Sequence, residues 1–229
     1  MKIKRFVCNA FQENCYVVSD GSRCIIIDPG FDTGQAGPAP GTFSRNGLRS
    51  NVEGAASCLA GGELEELYRY LEAERLQPEA ILLTHTHWDH TLGVPALVER
   101  FGIPVKAKTG AFPAEPFFGE AGNDAGGAIY GFKVIETPGH TPDSVCYYNE
   151  AEHVLFTGDT LFAGSIGRTD LPGGDYDAEI RSIMEKLIFL PGETDIYPGH
   201  GPQSTIARER MENPFLEPFN EREELFEDA

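Results

Sequence analysis

The chain has 229 residues, 41% of them hydrophobic, and a formal net charge of −18 from 36 acidic and 18 basic residues. Such a surface repels polyanions, which excludes nucleic acid as an expected partner. No apolar run reaches the roughly 18 residues of a membrane span and the N-terminus lacks a signal-like apolar core, so a cytoplasmic protein with no membrane partner is expected.

In chain order, residues 5–11, 14–20 and 23–30 alternate short apolar runs with turn residues. They predict an antiparallel meander that turns at Asp20-Gly21. The run CIIID at 24–28 is apolar almost throughout, which places it centrally in its sheet. Residues 31–62 hold seven glycines and two prolines without periodicity and are expected to form a Gly/Pro-rich insertion or flexible loop. Helical spacing of Leu64, Leu67, Leu71 and Leu76 predicts a helix over 63–76. A buried strand follows at 79–85, a helix at 91–102 closed by Gly102, and a strand at 103–108. A second Gly- and Pro-rich loop occupies 109–128, and strands are expected at 131–140, 144–150 and 153–162. Alternation in the middle one packs one of Tyr147 and Tyr148 and exposes the other. Then come a helix at 176–190, a strand at 194–200 that ends in histidine, and a tail of helix, proline-rich turn and acidic terminal helix. No linker divides the chain, so a single domain over 1–229 is expected. Cys8, Cys15, Cys24, Cys58 and Cys146 form no CxxC pair and read as small apolar residues rather than a disulfide framework.

Several predicted strands end in metal-binding residue types. The segment LLTHTHWDHTLG, 82–93, holds half of the chain's six histidines. His85 and His87 stand two apart at the end of an extended run, so both rings point to one side and can reach one ion. Asp89 and His90 are adjacent at the start of the next helix, and their divergent directions suit a second ion nearby. His140 follows Pro138-Gly139, Asp159 follows Gly158, and His200 follows Pro198-Gly199, each beside a glycine that permits a tight turn. These five histidines and two aspartates divide into three His on one ion and an Asp with two His on another, one carboxylate bridging. Imidazole with carboxylate suits zinc, iron or manganese. A closed structural zinc site would carry more cysteine. His153, in a turn, reads as an ordinary surface residue.

The segments THTHWDH, TPGHT, GDTLF and YPGHGP resemble the metallo-β-lactamase superfamily. GRTDLPGGD and HGPQSTIARERMENPF look like its small glyoxalase II-like, or hydroxyacylglutathione hydrolase-like, branch. The resemblance covers nearly all of the chain outside 31–62. It implies an α/β fold of four layers, an αββα sandwich of two mixed sheets with helices on both outer faces. It also implies His85, His87 and His140 on the first metal, Asp89, His90 and His200 on the second, and Asp159 bridging. The chain departs from the pattern in HTPDS, where Asp143 replaces a usual glycine, and in the insertion after DPG. Full-length glyoxalase II enzymes also carry a C-terminal helical domain, for which the tail after His200 is short.

The expected activity is that of a dinuclear metal-dependent hydrolase holding two divalent ions, zinc in the first place, iron or manganese otherwise. A metal-bridging hydroxide would attack a small-molecule thioester such as S-lactoylglutathione, with Asp89 and Asp159 as the catalytic carboxylates. Asp28, at the end of IIID, is expected to hydrogen-bond a metal-binding histidine. Arg168 is expected to neutralise Asp170 or hold the loop near the site, or else to meet a substrate carboxylate. Two other activities of the superfamily compete: a mononuclear iron dioxygenase acting on a persulfide, and a lactonase-type hydrolase. A non-catalytic metal-binding protein is the third alternative.

Overall fold

The computed structural model describes residues 1–32, 62–108, 115–116 and 128–217. Most of the predicted insertion at 31–62, the 109–128 loop and the acidic terminal helix lie outside the described residues. One sheet runs β1 (Lys2–Cys8), β2 (Glu13–Asp20), β3 (Arg23–Ile27), β4 (Gln77–Leu82), β5 (Val105–Ala107) and β6 (Glu115–Pro116), in that spatial order. The first three strands form the predicted antiparallel meander. From β3 onward the pairing is parallel. Parallel neighbours need crossovers, and α1 (Glu63–Ala73) and α2 (Val94–Phe101) lie in the connections that enter β4 and β5.

The second sheet contains β7 (Ala128–Ile129), β8 (Phe132–Glu136), β9 (Val145–Asn149) and β10 (Val154–Gly158). After a small hairpin, β11 (Leu161–Phe162) with β12 (Ser165–Ile166), come α3 (Tyr176–Ser182), β13 (Asp195–Pro198), β14 (Ser204–Thr205) and α4 (Ile206–Glu212). Its spatial order is β14-β13-β10-β9-β8-β7. Strand periodicity builds the layers directly. Tyr16, Val18, Ile25, Ile27 and Leu82 of the first sheet meet Phe132, Tyr147 and Phe156 of the second in one buried cluster. The alternate residues Val17, Ile26 and Ile81 turn outward onto Leu67 and Leu71 of α1 and Leu97 of α2. Cys146, Tyr148 and Leu155 turn the other way, onto Ile183, Leu187 and Ile206. The result is a sandwich of two mixed sheets between helices, as expected. Cys8, Cys15, Cys24 and Cys146 are all buried, as packing residues. No described helix is long and apolar enough to cross a membrane.

Three expectations change. Tyr147 and Tyr148 are both buried, because this strand is covered on both faces. The run at 153–162 is not one strand: Gly158 takes φ 49°, and a side chain there would strike Thr84, so the chain leaves the sheet before Asp159. The 176–190 helix keeps α geometry only to Ser182 and then widens into a π turn over Ile183–Leu187. The wider turn leaves Ile183, Leu187 and Ile188 all against the sheet.

Two buried tyrosines tie the sheets together beneath one edge. The Tyr16 hydroxyl donates to the carbonyl of Pro198 at 2.7 Å, and that of Tyr147 to the carbonyl of Leu83 at 2.8 Å. Both acceptors lie at strand ends, just before the residues that form the site.

Candidate metal centre

The C-terminal ends of β3, β4, β8, β10 and β13 meet at that edge, and Asp28, His85, His140, Asp159 and His200 follow them. His85 and His87 continue from β4, and Asp89 and His90 sit in a single 3-10 turn, Trp88–His90. His140 follows β8, Asp159 follows β10, and His200 follows β13. The fold brings all seven together although 115 residues separate His85 from His200.

One group gathers His85 Nε2, His87 Nδ1 and His140 Nε2. The His87 nitrogen lies 3.1 Å from that of His85 and 2.9 Å from that of His140. A second group gathers Asp89, His90 and His200, with His200 Nε2 3.4 Å and His90 Nε2 3.9 Å from Asp89 Oδ2. Asp159 stands between the groups. Its Oδ1 is 3.3 Å from His90 Nε2, and its Oδ2 is 3.5 Å from His140 Nε2 and 3.6 Å from His200 Nε2. Gly199 makes this approach possible: a Cβ there would lie 2.4 Å from Asp159 Oδ1.

The outer nitrogens fix the tautomers. His140 Nδ1 faces the carbonyl of Arg168 at 2.7 Å, and His200 Nδ1 faces that of Phe11 at 3.1 Å. His90 Nδ1 faces Asp28 Oδ2 at 3.2 Å, and His85 Nδ1 faces the Thr84 hydroxyl at 3.1 Å. A ring that donates from Nδ1 presents an Nε2 lone pair inward. Asp28 is itself pinned, accepting from the Thr84 amide at 2.7 Å and the Thr84 hydroxyl at 2.6 Å. It is 2% exposed and holds φ 47°, a conformation that a non-glycine residue keeps only where its surroundings enforce it.

Converging imidazole nitrogens and carboxylate oxygens make groups that could hold a cation. His90 Nε2 and Asp159 Oδ1 are buried with no hydrogen-bond partner, which a divalent ion would remedy. The side chains, with their imidazole and carboxylate donors, therefore fit the bound metals that the sequence implies. Burial, and then the neighbouring imidazoles, press the pKa values of His85 and His87 below the ordinary histidine value. Burial alone would raise Asp89 and Asp159, but His200 beside the first and His90 beside the second hold them down.

The other predicted residues are also placed. Arg168 is exposed and binds Asp170 through two bonds of 2.7 Å, so its carbonyl, not its guanidinium, touches the centre. Asp143 accepts from the hydroxyl of Thr86, between His85 and His87, at 2.8 Å. His153 lies outside the centre, 4.0 Å from Glu193.

Two buried glutamates at the centre were not foreseen. Glu179 of α3 accepts from the His140 amide at 2.8 Å, and burial pushes its pKa up to about 8. Glu13 lies 3.7 Å from His90 Nδ1 and burial raises it strongly. Glu179 carried no sequence signal beyond an acid on a helix face. Glu13 had one weak signal, a buried acid opening a strand with an apolar middle, Cys15–Val18.

The family model of the metallo-beta-lactamase superfamily matches residues 8–200. Across 96% of the chain and all of the relative, the sequence is 30% identical to the probable metallo-hydrolase YqgX of Bacillus subtilis. It is 32% identical to the hydroxyacylglutathione hydrolase GloC of Haemophilus influenzae, over 94% of the chain and 98% of the relative. Among solved structures, TTHA1623 in a di-iron-bound form aligns with TM-score 0.71 and 32% identity, over 93% of the chain and all of that protein.

Proposed function

The chain belongs to the metallo-β-lactamase superfamily, and from that premise we propose that it is a dinuclear hydrolase of small-molecule thioesters, of the glyoxalase II-like kind. The observation that carries the reading is the position of Asp159, within 3.6 Å of histidines from both groups. In this assignment His85, His87 and His140 would hold one divalent ion and Asp89, His90 and His200 the other, with Asp159 shared between them. The similarity to GloC supports a thioester as substrate. Zinc suits the donor set, and the di-iron neighbour makes iron the first alternative.

When bound, two such ions supply an activated water and polarise the carbonyl it attacks. The chain's own residues do the rest. Asp159 sets the spacing of the two groups. Asp28, Thr84 and the carbonyls of Arg168 and Phe11 aim the rings. Asp89, kept ionised, orients the attacking water and accepts its proton. A thiolate leaves without a strong acid, since a free thiol ionises near pKa 8.5, and no such acid is required of the site.

The test pairs metal analysis of the purified protein with release of free thiol from S-lactoylglutathione. Two ions per chain and thiol release are expected. One iron per chain with oxygen uptake on a persulfide would instead select the dioxygenase reading.

A further inference from the structure

The histidines of the centre differ in what holds their backbone. The His90 amide is held inside its own turn, by the His87 carbonyl at 3.2 Å. The His140 amide is held from outside: it donates at 2.8 Å to Glu179 Oε2 of α3, 39 residues further along the chain. Glu179 is one of three positions of that helix and its N-cap that bind the turn. The Asp175 amide donates to the Gly139 carbonyl at 2.8 Å, and the Ser182 hydroxyl donates to the Pro138 carbonyl at 2.7 Å. Residues 175, 179 and 182 stand four and three apart, the spacing of one helix face. Pro138, Gly139 and His140 are thus each bonded to the same face. Ile183 and Leu187, which continue the helix, fasten it to the sheet.

The carboxyl of Glu179 fits closely on two sides. A Cβ on Gly139 would lie 2.2 Å from its Oε2, and one on Gly167 would lie 2.6 Å from its Oε1 and 3.0 Å from the His140 Cβ. The two glycines therefore leave room for the carboxyl between the His140 turn and the segment Gly167-Arg168. Arg168 supplies the carbonyl that His140 Nδ1 faces at 2.7 Å. One side chain thus binds the backbone of His140 and packs against the segment that orients its ring. Glu179 is fully buried. Burying a carboxyl is costly unless it is hydrogen-bonded, and an apolar side chain in the same space would leave the His140 amide without this acceptor.

We infer that Glu179 is a positioning residue: by holding the His140 amide and packing against Gly167-Arg168, it aims His140 at the ion of the His85 half without touching that ion. The inference rests on the reading of His140 as a ligand given above. It needs neither the thioester nor the second ion, and the test keeps these apart.

Zinc affinity is measured on the full chain by competition with a chelator, for the unaltered protein, Glu179→Ala, Glu179→Gln, His140→Ala and the double variant. His140→Ala identifies the step of the titration that belongs to the His85 half. Glu179→Ala should weaken that same step about ten-fold, the usual scale of losing an outer partner of a ligand, and the other step less. Glu179→Gln keeps an acceptor oxygen for the amide and should recover to within about three-fold of the unaltered protein. In the double variant the change at 179 should add nothing to His140→Ala, because a group that acts through His140 has nothing left to act on. Glu179→Met, which keeps the volume and lacks the oxygen, replaces Glu179→Ala if the smaller side chain does not fold.

Unchanged affinity in the apolar variant, equal weakening of both steps, no recovery in Glu179→Gln, or additive losses in the double variant each overturn the positioning role. Release of free thiol from S-lactoylglutathione is read on the same samples. A chain that binds a single zinc and releases no thiol, yet loses affinity through Glu179 and His140 as described, sustains the positioning role and overturns the dinuclear thioesterase reading. Thiol release by a two-zinc protein whose affinities ignore residue 179 does the reverse.

Discussion

The half of the centre made by His85, His87 and His140 and the half made by Asp89, His90 and His200 differ in charge and in what holds their rings. The first is a nitrogen pocket. Its outer partners are neutral, the Thr84 hydroxyl and the Arg168 carbonyl, and burial keeps His85 and His87 unprotonated. The second is crowded with carboxylates. Burial disfavours charge on His90 and His200 as well, yet Asp159 and Asp28 around His90, and Asp89 and Asp159 around His200, raise both. The same seven-residue motif thus builds two environments of opposite proton affinity a few ångströms apart. In the metal-free chain, protons on His90 and His200 balance carboxylates that a cation would balance when bound.

Asp159 belongs to both halves, so removing it gives the largest effect. Asp159→Ala should reduce thioester hydrolysis by ~10³-fold or more, the scale of losing a central electrostatic group. Metal content should fall below two ions per chain in elemental analysis. Full metal content with full activity would mean that the two halves are independent sites and the comparison is misdrawn.

Asp28 should sharpen the contrast. It hydrogen-bonds His90 directly and is linked to His85 through the Thr84 hydroxyl. Asp28→Asn should weaken the ion of the Asp89 half by about 10–100-fold, the usual effect of losing such an outer partner. The ion of the His85 half should weaken less, because the Thr84 hydroxyl persists. A competition titration with a chelator that gives two equal losses would break the distinction.

The seven inner residues stood out because chain-local features mark them: strands running into glycine turns, and histidines two apart. The αββα layering was legible for a similar reason, since Tyr16 with Val17 and Ile25 with Ile26 report their two faces by alternation alone. Asp28 was half legible, as an acid ending an apolar strand, but its left-handed backbone and its hold on Thr84 arise only when β3 and β4 pair. Glu179 and Glu13 act through approaches between distant segments, α3 to the His140 turn and β2 to His90, that no spacing encodes. Burial of Tyr148 was missed because covering a strand on both faces erases the polar half of its pattern.

Acid should separate the halves in time order. Protons compete with an ion for each imidazole, so a ring of raised pKa surrenders its ion at higher pH than one of lowered pKa. His90 and His200 are raised, and His85 and His87 are lowered. As the pH falls from neutrality, the ion of the Asp89 half should leave first and that of the His85 half later. Metal content after dialysis at successive pH values should therefore drop in two steps. A single step, or loss from the His85 half first, would contradict the assignment of charge.

The smallest effect on the centre is expected from a buried carboxylate that belongs to neither half. Glu209 of α4 is 1% exposed and accepts from the Gly164 amide and the Asn213 side chain, each at 2.8 Å, and from the Ser204 hydroxyl. It fastens the β11–β12 hairpin to α4 but reaches no histidine in the hydrogen bonds described. Glu209→Ala leaves these donors without their acceptor, which should lower stability by about 1–3 kcal/mol and reduce the melting temperature by several degrees. Metal content, and the order in which acid removes the two ions, should not change. If Glu209→Ala instead empties one half selectively, the carboxylates of this protein are coupled through the fold, and the division of the centre into a neutral and an acidic half is too local a description.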